Sequence, residues 1–188
     1  MSERPDAAAV ADRALILYAL VRRGYIEHVV NATEGEPTRL AQAEAARHEQ
    51  DRWLDEHGLR DGLTEVERRL FAAASGSWPA EAVHDALWRK ESLGILLWAL
   101  SHLDAIPSYA DEFEQKELDG AITRSGSVPQ FRELGRLRPH DEVERAWREA
   151  DTWFAATEGE QGDDAKIASI AAERLRALGW LRGTDEPA

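Results

Sequence analysis

One short pattern in the chain has the spacing of a metal-binding helix. Glu81 and His84 form a Glu-x-x-His step, which a di-iron bundle uses twice together with glutamates from two further helices. The sequence has no second Glu-x-x-His motif. His48-Glu49 does not continue into the His-Glu-x-x-His motif of a zinc protease, because Arg52 occupies the position of the second histidine. We therefore predict no metal site and no cofactor, with His84 a surface or hydrogen-bonded histidine.

Sequence signatures of hydrolases and nucleotide enzymes are missing. The Ser-Gly-Ser runs at 75–77 and 125–127 do not form Gly-x-Ser-x-Gly, and no glycine-rich phosphate loop occurs. The chain has no cysteine, hence no thiolate nucleophile, and its 36 carboxylates give no reason to select one acid-base pair. We predict no catalytic residue, and the balance favours a protein that is not an enzyme.

Net charge limits the partners. Asp and Glu number 36 against 23 Lys and Arg, a formal charge of -13, which repels nucleic acid and anionic membranes and attracts a basic protein. Apolar runs fall short of the roughly 20 residues that span a bilayer, and no secretory signal is recognisable at the N-terminus. The absence of cysteine fits a reducing compartment. We predict a cytoplasmic protein that binds neither membranes nor nucleic acid.

Hydrophobic periodicity predicts an all-α fold. Apolar residues recur at helical spacing from end to end without sustained alternation, and 188 residues fit one core. We predict one domain over 1–188, a single compact multi-helix bundle of about seven helices.

Local signals set the expected helix limits. The first helix should stop or kink at Gly24, or continue through Tyr25 to Asn31, and the second should be capped by Thr38. Thr64 and Glu67 form a capping box for the third, and a long helix from residue 77 or 78 to 103 should have a weak joint near Gly94.

Local signals also predict where the helices begin and end in the second half of the chain. We expect Ser108 to cap a short acidic helix through Leu118, and 120–129 to be the longest irregular and most mobile stretch. Asp141 and Glu144 resemble a capping box, Glu144 should pair with Arg148, and the last helix should end before Gly179.

Three segments resemble one family. They are Trp88-Arg89-Lys90-Glu91-Ser92-Leu93-Gly94-Ile95-Leu96-Leu97-Trp98-Ala99-Leu100, then Pro107-Ser108-Tyr109, then Ala172-Glu173-Arg174-Leu175-Arg176-Ala177-Leu178-Gly179-Trp180-Leu181. Together they resemble the bacterial family of domain of unknown function 4272. The resemblance implies a helical bacterial protein and supplies no reaction, substrate or active site.

A few residues stand out as candidates. Glu91 and Arg174 lie among apolar neighbours, so we expect a structural ion pair. Trp78 and Trp180, at helix boundaries, are candidates for contact with a partner, whereas the other five tryptophans lie on or near apolar helix faces, so most of them are expected in the core. An acidic surface for a basic partner is predicted at Asp111, Glu112, Glu114 and Glu117.

Three functional interpretations follow. The first is a non-enzymatic interaction protein, immunity-like or an adaptor, that presents an acidic helical surface to a basic protein. The alternative is an enzyme or small-ligand-binding domain with a pocket between helices, where His84 or His102 supplies polarity. A third is a module for self-assembly, although the sequence does not predict an oligomeric state.

Overall fold

The described part of the chain consists of helices and the loops that join them. A computed structural model describes residues 4–157, 159 and 163–184, and these ranges hold eight α-helices, one 3₁₀-helix at Arg60–Gly62 and no β-strand. The α-helices are α1 (Ala7–Ala32), α2 (Pro37–Glu56), α3 (Glu65–Ala72), α4 (Ala80–Ala99), α5 (Gln115–Thr123), α6 (Val128–Leu134), α7 (His140–Thr157) and α8 (Asp163–Arg182). The all-α prediction is confirmed, and one more helix is present than expected. Within those ranges, no helix is long and apolar enough to cross a bilayer.

The described residues form two compact units. One comprises residues 15–89, with most of α1, all of α2 and α3, and the first half of α4. The other comprises the described residues up to 14 and from 90 onward, with the second half of α4 and α5 to α8.

In the unit of residues 15–89, α1 supplies much of the core. Every side chain from Leu15 to Val21 is buried, and Leu54 and Phe71 pack in the same unit from α2 and α3. Helix α1 does not stop at Gly24 but continues to Ala32, through the residues Tyr25 to Asn31 that the sequence allowed as a continuation. A Cβ at position 24 would lie 3.0 Å from the Cβ of Ala86, so the glycine permits a close approach to α4.

Two helix starts in this unit follow from capping chemistry. The Thr64 side chain accepts from the backbone N–H of Glu67, whose carboxylate accepts from the N–H of Thr64. The predicted capping box is confirmed. Thr38 is not the cap of α2: Glu36 takes that role, because its carboxylate accepts from the backbone N–H groups of Thr38 and Arg39.

In the other unit, α4 provides a continuous buried segment. All residues from 91 to 100 are buried, and the helix passes through Gly94 without a break. A Cβ at position 94 would lie 2.2 Å from the ring of Phe113, so the absence of a side chain there makes room for an aromatic ring.

The segment between α4 and α5 is irregular. The predicted helix from Ser108 through Leu118 is wrong in its first half, because α5 begins at Gln115. Residues 120–129, expected to be irregular, instead contain the end of α5 and the start of α6, which Ser127 caps through the backbone N–H of Gln130. Helix α5 overlaps the end of the predicted acidic helix, so α6 is the additional helix.

Helices α7 and α8 pack against each other. The apolar face predicted for α7 is present, with Val143, Ala146 and Ala150 buried. The helix begins at His140, so Asp141 lies in its first turn rather than before it. Glu144 forms its salt bridge with Arg182 at 2.5 Å, because α8 continues through Gly179 to that arginine, and the charge of the expected partner Arg148 also lowers the pKa of this carboxyl.

Candidate functional site

A buried ion pair joins α4 to α8. The Oε2 atom of Glu91 lies 3.0 Å from Nε and 2.9 Å from Nη2 of Arg174, and both side chains are fully buried. Oε1 accepts a hydrogen bond of 2.9 Å from the backbone N–H of Phe113. Burial raises the pKa of Glu91, whereas Arg174 and the Phe113 amide act to lower it. The structure thus brings together the two residues that the sequence suggested as a structural pair.

Arg174 also fixes the irregular segment between α4 and α5. Its guanidinium donates over 2.7 to 3.3 Å to three backbone carbonyls, those of Pro107, Ser108 and Asp111. The carbonyl of Ser108 also accepts from the backbone N–H of Asp111 at 3.1 Å, so the segment forms a turn here rather than the predicted helix. A loop whose polar groups are satisfied by a buried charge is held in one conformation.

An aromatic stack leads from Arg174 to the surface. The guanidinium carbon lies 4.9 Å from the ring centroid of Tyr109, and that ring stacks on Trp153 with 5.5 Å between centroids. Tyr109 is buried, but Trp153 is 40% exposed. Burial raises the pKa of Tyr109; Arg174 opposes this shift and the nearby Glu149 adds to it. The surface beside Tyr109 therefore offers an indole ring and a carboxylate.

The predicted acidic residues differ in their surroundings. Asp111, Glu114 and Glu117 are exposed, and Asp111 accepts a hydrogen bond from the Ser108 hydroxyl at 2.7 Å. Glu112 is only partly exposed and pairs with Lys90 and with Lys166, whose Nζ lies 2.8 Å from Oε1.

The two lysines change the role of Glu112. Their hydrogen bonds, that of Lys166 first, lower the pKa of its carboxyl. Since two lysines of its own chain already balance its charge, Glu112 is a weaker candidate for contact with a basic partner than the three exposed carboxylates.

The tryptophans proposed for partner binding are less accessible than the sequence suggested. Trp78 is only 4% exposed, and its indole N–H donates to the carbonyl of Leu70 at 2.9 Å. Trp180 is partly buried. The accessible indole is that of Trp153, which the sequence placed in the core. Its helical position is compatible with burial, but the ring stacks on Tyr109 and the residue remains 40% exposed.

A second buried ion pair lies in the unit of residues 15–89 and was missed by the sequence analysis. Arg23 and Glu27 are fully buried, with 2.8 Å between Nη2 and Oε1. Arg23 donates to the Ser75 hydroxyl and the Ala73 carbonyl, both at 3.1 Å, and burial lowers its pKa. Oppositely charged residues four apart within the apolar α1 were the available signal.

Glu27 completes the attachment of the 73–78 loop. Its Oε2 accepts from the backbone N–H groups of Gly76 at 2.8 Å and Trp78 at 3.3 Å. The arginine thus binds a carbonyl of this loop while the glutamate binds its amides.

Glu81 and His84, which have the spacing of a metal-binding helix, do not belong to a metal-binding cluster among the described side chains. His84 is exposed, and its Nε2 accepts from the indole N–H of Trp88 at 3.0 Å. Across the part of the chain that the structure describes, no three histidine or carboxylate side chains are grouped to hold an ion. His102 is half-buried and stacks on Phe131 with 4.4 Å between centroids, and burial lowers its pKa.

Comparisons with known proteins identify the family and add no activity. No curated protein and no solved structure matches the chain. One family model, described as a domain of unknown function (DUF4272), matches residues 2–187 of the 188. The resemblance carried by the helix around Glu91, by the segment at Pro107 and by the helix of Arg174 therefore extends over almost the whole sequence, and the chain belongs to the DUF4272 family.

Proposed function

We propose that this chain is a non-enzymatic interaction protein that binds a basic protein segment at an acidic surface. We define this surface by the exposed carboxylates Asp111, Glu114 and Glu117 and by Trp153, which stacks on Tyr109 at the start of the same segment. The observation that carries the proposal is the fixation of the 107–113 backbone from beneath by Glu91 and Arg174.

Fixation matters because binding through a flexible loop loses conformational entropy. Two fully buried charges hold this loop through its backbone groups, and Arg174 also contacts the Tyr109 ring, while the side chains of Asp111 and Glu114 remain exposed. Carboxylates displayed on an already ordered backbone bind with a smaller entropic cost than those of a mobile loop. The net charge of -13 adds long-range attraction for a cationic partner.

Trp153 supplies a suitable anchor. An exposed indole face attracts an arginine or lysine side chain by about 0.5–1 kcal/mol, and more when the pair is desolvated. Tryptophan is also enriched among residues that dominate interface energies. With Glu149 one turn earlier on α7, the ring and the carboxylate can contact the same cationic side chain.

The test compares three forms of the full chain in pull-downs from a lysate of the source organism, with quantitative mass spectrometry. The site variant carries Asp111→Lys, Glu114→Lys and Glu117→Lys. A matched control carries Glu56→Lys, Asp61→Lys and Asp85→Lys, which reverses the same number of exposed carboxylates in the unit of residues 15–89. Trp153→Ala is tested separately.

The proposal expects a basic protein that is bound by the wild type and by the control, is released as salt rises, and is lost from the site variant and weakened by Trp153→Ala. Equal loss in the control and the site variant would show attraction by net charge alone and would overturn the proposal. So would the absence of any basic partner at low salt.

A further inference from the structure

The imidazole of His102 joins the end of α4 to α6. It stacks on the ring of Phe131, with 4.4 Å between centroids and 17° between planes. Phe131 lies in the middle of α6, is fully buried and belongs to a helix of only seven residues. A helix of that length is not stable alone in water, so α6 depends on tertiary contacts of this kind.

The two residues that follow α6 complete the attachment. A Cβ at Gly135 would lie 3.1 Å from Cδ2 of Leu100 and 3.6 Å from Nε2 of His102, so the glycine backbone lies against both side chains. The backbone N–H of Arg136 donates to the carbonyl of Leu100, and the hydroxyl of Ser101 donates to the carbonyl of Arg136, both at 2.9 Å. The chain after α6 is thus bound to the chain after α4.

The imidazole at the centre of these contacts has no acceptor for a second proton. Its Nε2 atom is buried and forms no hydrogen bond with any described residue. In a protonated imidazole both ring nitrogens are donors. Protonation of His102 in this position would therefore bury a positive charge and leave one N–H without a partner, which is costly in a protein interior.

Charged groups around the imidazole do not offset this cost. Arg124, at the end of α5, donates from Nη2 to the backbone carbonyl of His102 at 3.3 Å and so adds positive charge nearby. Among the described residues, no carboxylate forms a hydrogen bond or an ion pair with the ring. The other charged side chains of these segments are Arg132, which pairs with Asp12, Arg136 and Arg138, which donate to backbone carbonyls, and the exposed Asp104 and Glu133.

These surroundings make the attachment of α6 sensitive to acid. Burial lowers the pKa of His102 from 6.5, the backbone of Phe131 opposes this shift, and the charge of Arg124 adds to it. Above pH 6.5 the ring is neutral whether α6 is attached or detached, so the attachment is complete. Below pH 6.5 only the detached state binds the proton, and detachment becomes more favourable by up to about tenfold per pH unit until the lowered pKa is reached.

We propose that His102 is an acid-sensitive latch, whose protonation detaches α6 from the end of α4 and exposes the ring of Phe131. The latch consists of the stacked rings of His102 and Phe131 together with the backbone contacts of Gly135 and Arg136. It does not depend on the binding of a basic partner, since none of these residues belongs to the acidic surface.

The test is amide hydrogen exchange of the full chain by NMR at pH 7, 6 and 5, with the intrinsic pH dependence of exchange divided out. The amide of Arg136, which bonds the carbonyl of Leu100, reports detachment. The amide of Leu96, in the interior of α4, reports global unfolding. From pH 7 to pH 5 we expect the protection of Arg136 to fall about fivefold or more, with that of Leu96 nearly constant.

Three substitutions assign the effect to one histidine. His102→Phe keeps a ring that can stack but cannot titrate, so protection of Arg136 should become independent of pH, and His102→Gln should do the same if His102→Phe does not fold. His140→Gln removes the other histidine of this unit, which is exposed, and should keep the wild-type response.

The NMR titration of wild-type protein measures the pKa of His102 directly, and we expect it below 6.5. The proposal is overturned if this pKa is 6.5 or higher, if Arg136 keeps its protection at pH 5, or if the response survives in the folded His102 variants. Equal loss of protection at Arg136 and Leu96 would also overturn it, because acid would then unfold the protein as a whole rather than detach α6.

Discussion

Glu91 and Arg174 divide the polar backbone groups of one loop between them. The carboxylate accepts from the amide of Phe113, and the guanidinium donates to carbonyls between residues 107 and 111. Arg23 and Glu27 do the same for the 73–78 loop in the other unit. In each unit, a buried ion pair forms hydrogen bonds with backbone groups of a loop that no helix satisfies. These bonds also satisfy the charged side chains, so the ion pair is compatible with an apolar core.

The first prediction follows from this shared role. Glu91→Gln should lower the free energy of unfolding by about 3–5 kcal/mol, because it leaves the positive charge of Arg174 buried without a counter-charge. The double variant Glu91→Met, Arg174→Met should not regain wild-type stability, since Phe113 loses an acceptor and three carbonyls lose a donor. Urea unfolding of the three proteins measures both values. A double variant as stable as the wild type would show that the backbone bonds contribute nothing.

The second prediction concerns the loop that Glu27 holds. Glu27→Gln should speed hydrogen exchange at the amides of Gly76 and Trp78, which bond its carboxylate. The amide of Ser75 is an internal control, because it bonds Glu44 instead. Exchange measured by NMR under native conditions should show the first two amides accelerated more than the third. Equal acceleration at all three would mean that the substitution lowers only global stability.

The third prediction compares two helical glycines. Gly94→Ala should destabilise the protein by about 1–3 kcal/mol, because the added methyl would overlap the ring of Phe113. Gly120→Ala in α5 should stabilise it by up to about 1 kcal/mol, since nothing lies within 4 Å of a Cβ there and alanine favours a helix. Thermal unfolding of both variants tests the pair. Equal effects would show that helix propensity, not space for Phe113, decides the residue at position 94.

The success of sequence reasoning depended on the range of the interactions involved. The capping box at Thr64 is visible in the sequence because donor and acceptor are three residues apart, and helical periodicity is equally local. The later start of α5 was not foreseen, and the segment before it is held by Arg174, which lies far along the chain and donates to the carbonyl of Ser108. The stack of Trp153 on Tyr109 likewise joins residues that are far apart in the sequence. Neither contact has a sequence pattern.

The last prediction is a pH dependence carried by Glu44. Hydrogen bonds from the side chain of Arg47, and then from the hydroxyl and amide of Ser75, lower the pKa of this carboxyl from 4.5 to about 2, although burial opposes them. Because the folded state holds the proton less tightly than the unfolded state, the stabilisation is complete above pH 4.5 and is lost as the pH falls toward 2.

Glu44→Gln should therefore be less stable than the wild type at pH 7, and the difference should shrink steadily between pH 4.5 and pH 2. Glu56→Gln, which removes an exposed carboxyl near the end of the same helix, controls for the change in net charge. Urea midpoints measured at half-unit steps from pH 2 to pH 7 provide the comparison. A difference between Glu44→Gln and wild type that stays constant across this range would show that the ionised carboxylate does not hold Ser75, and that Arg23 and Glu27 alone attach the 73–78 loop.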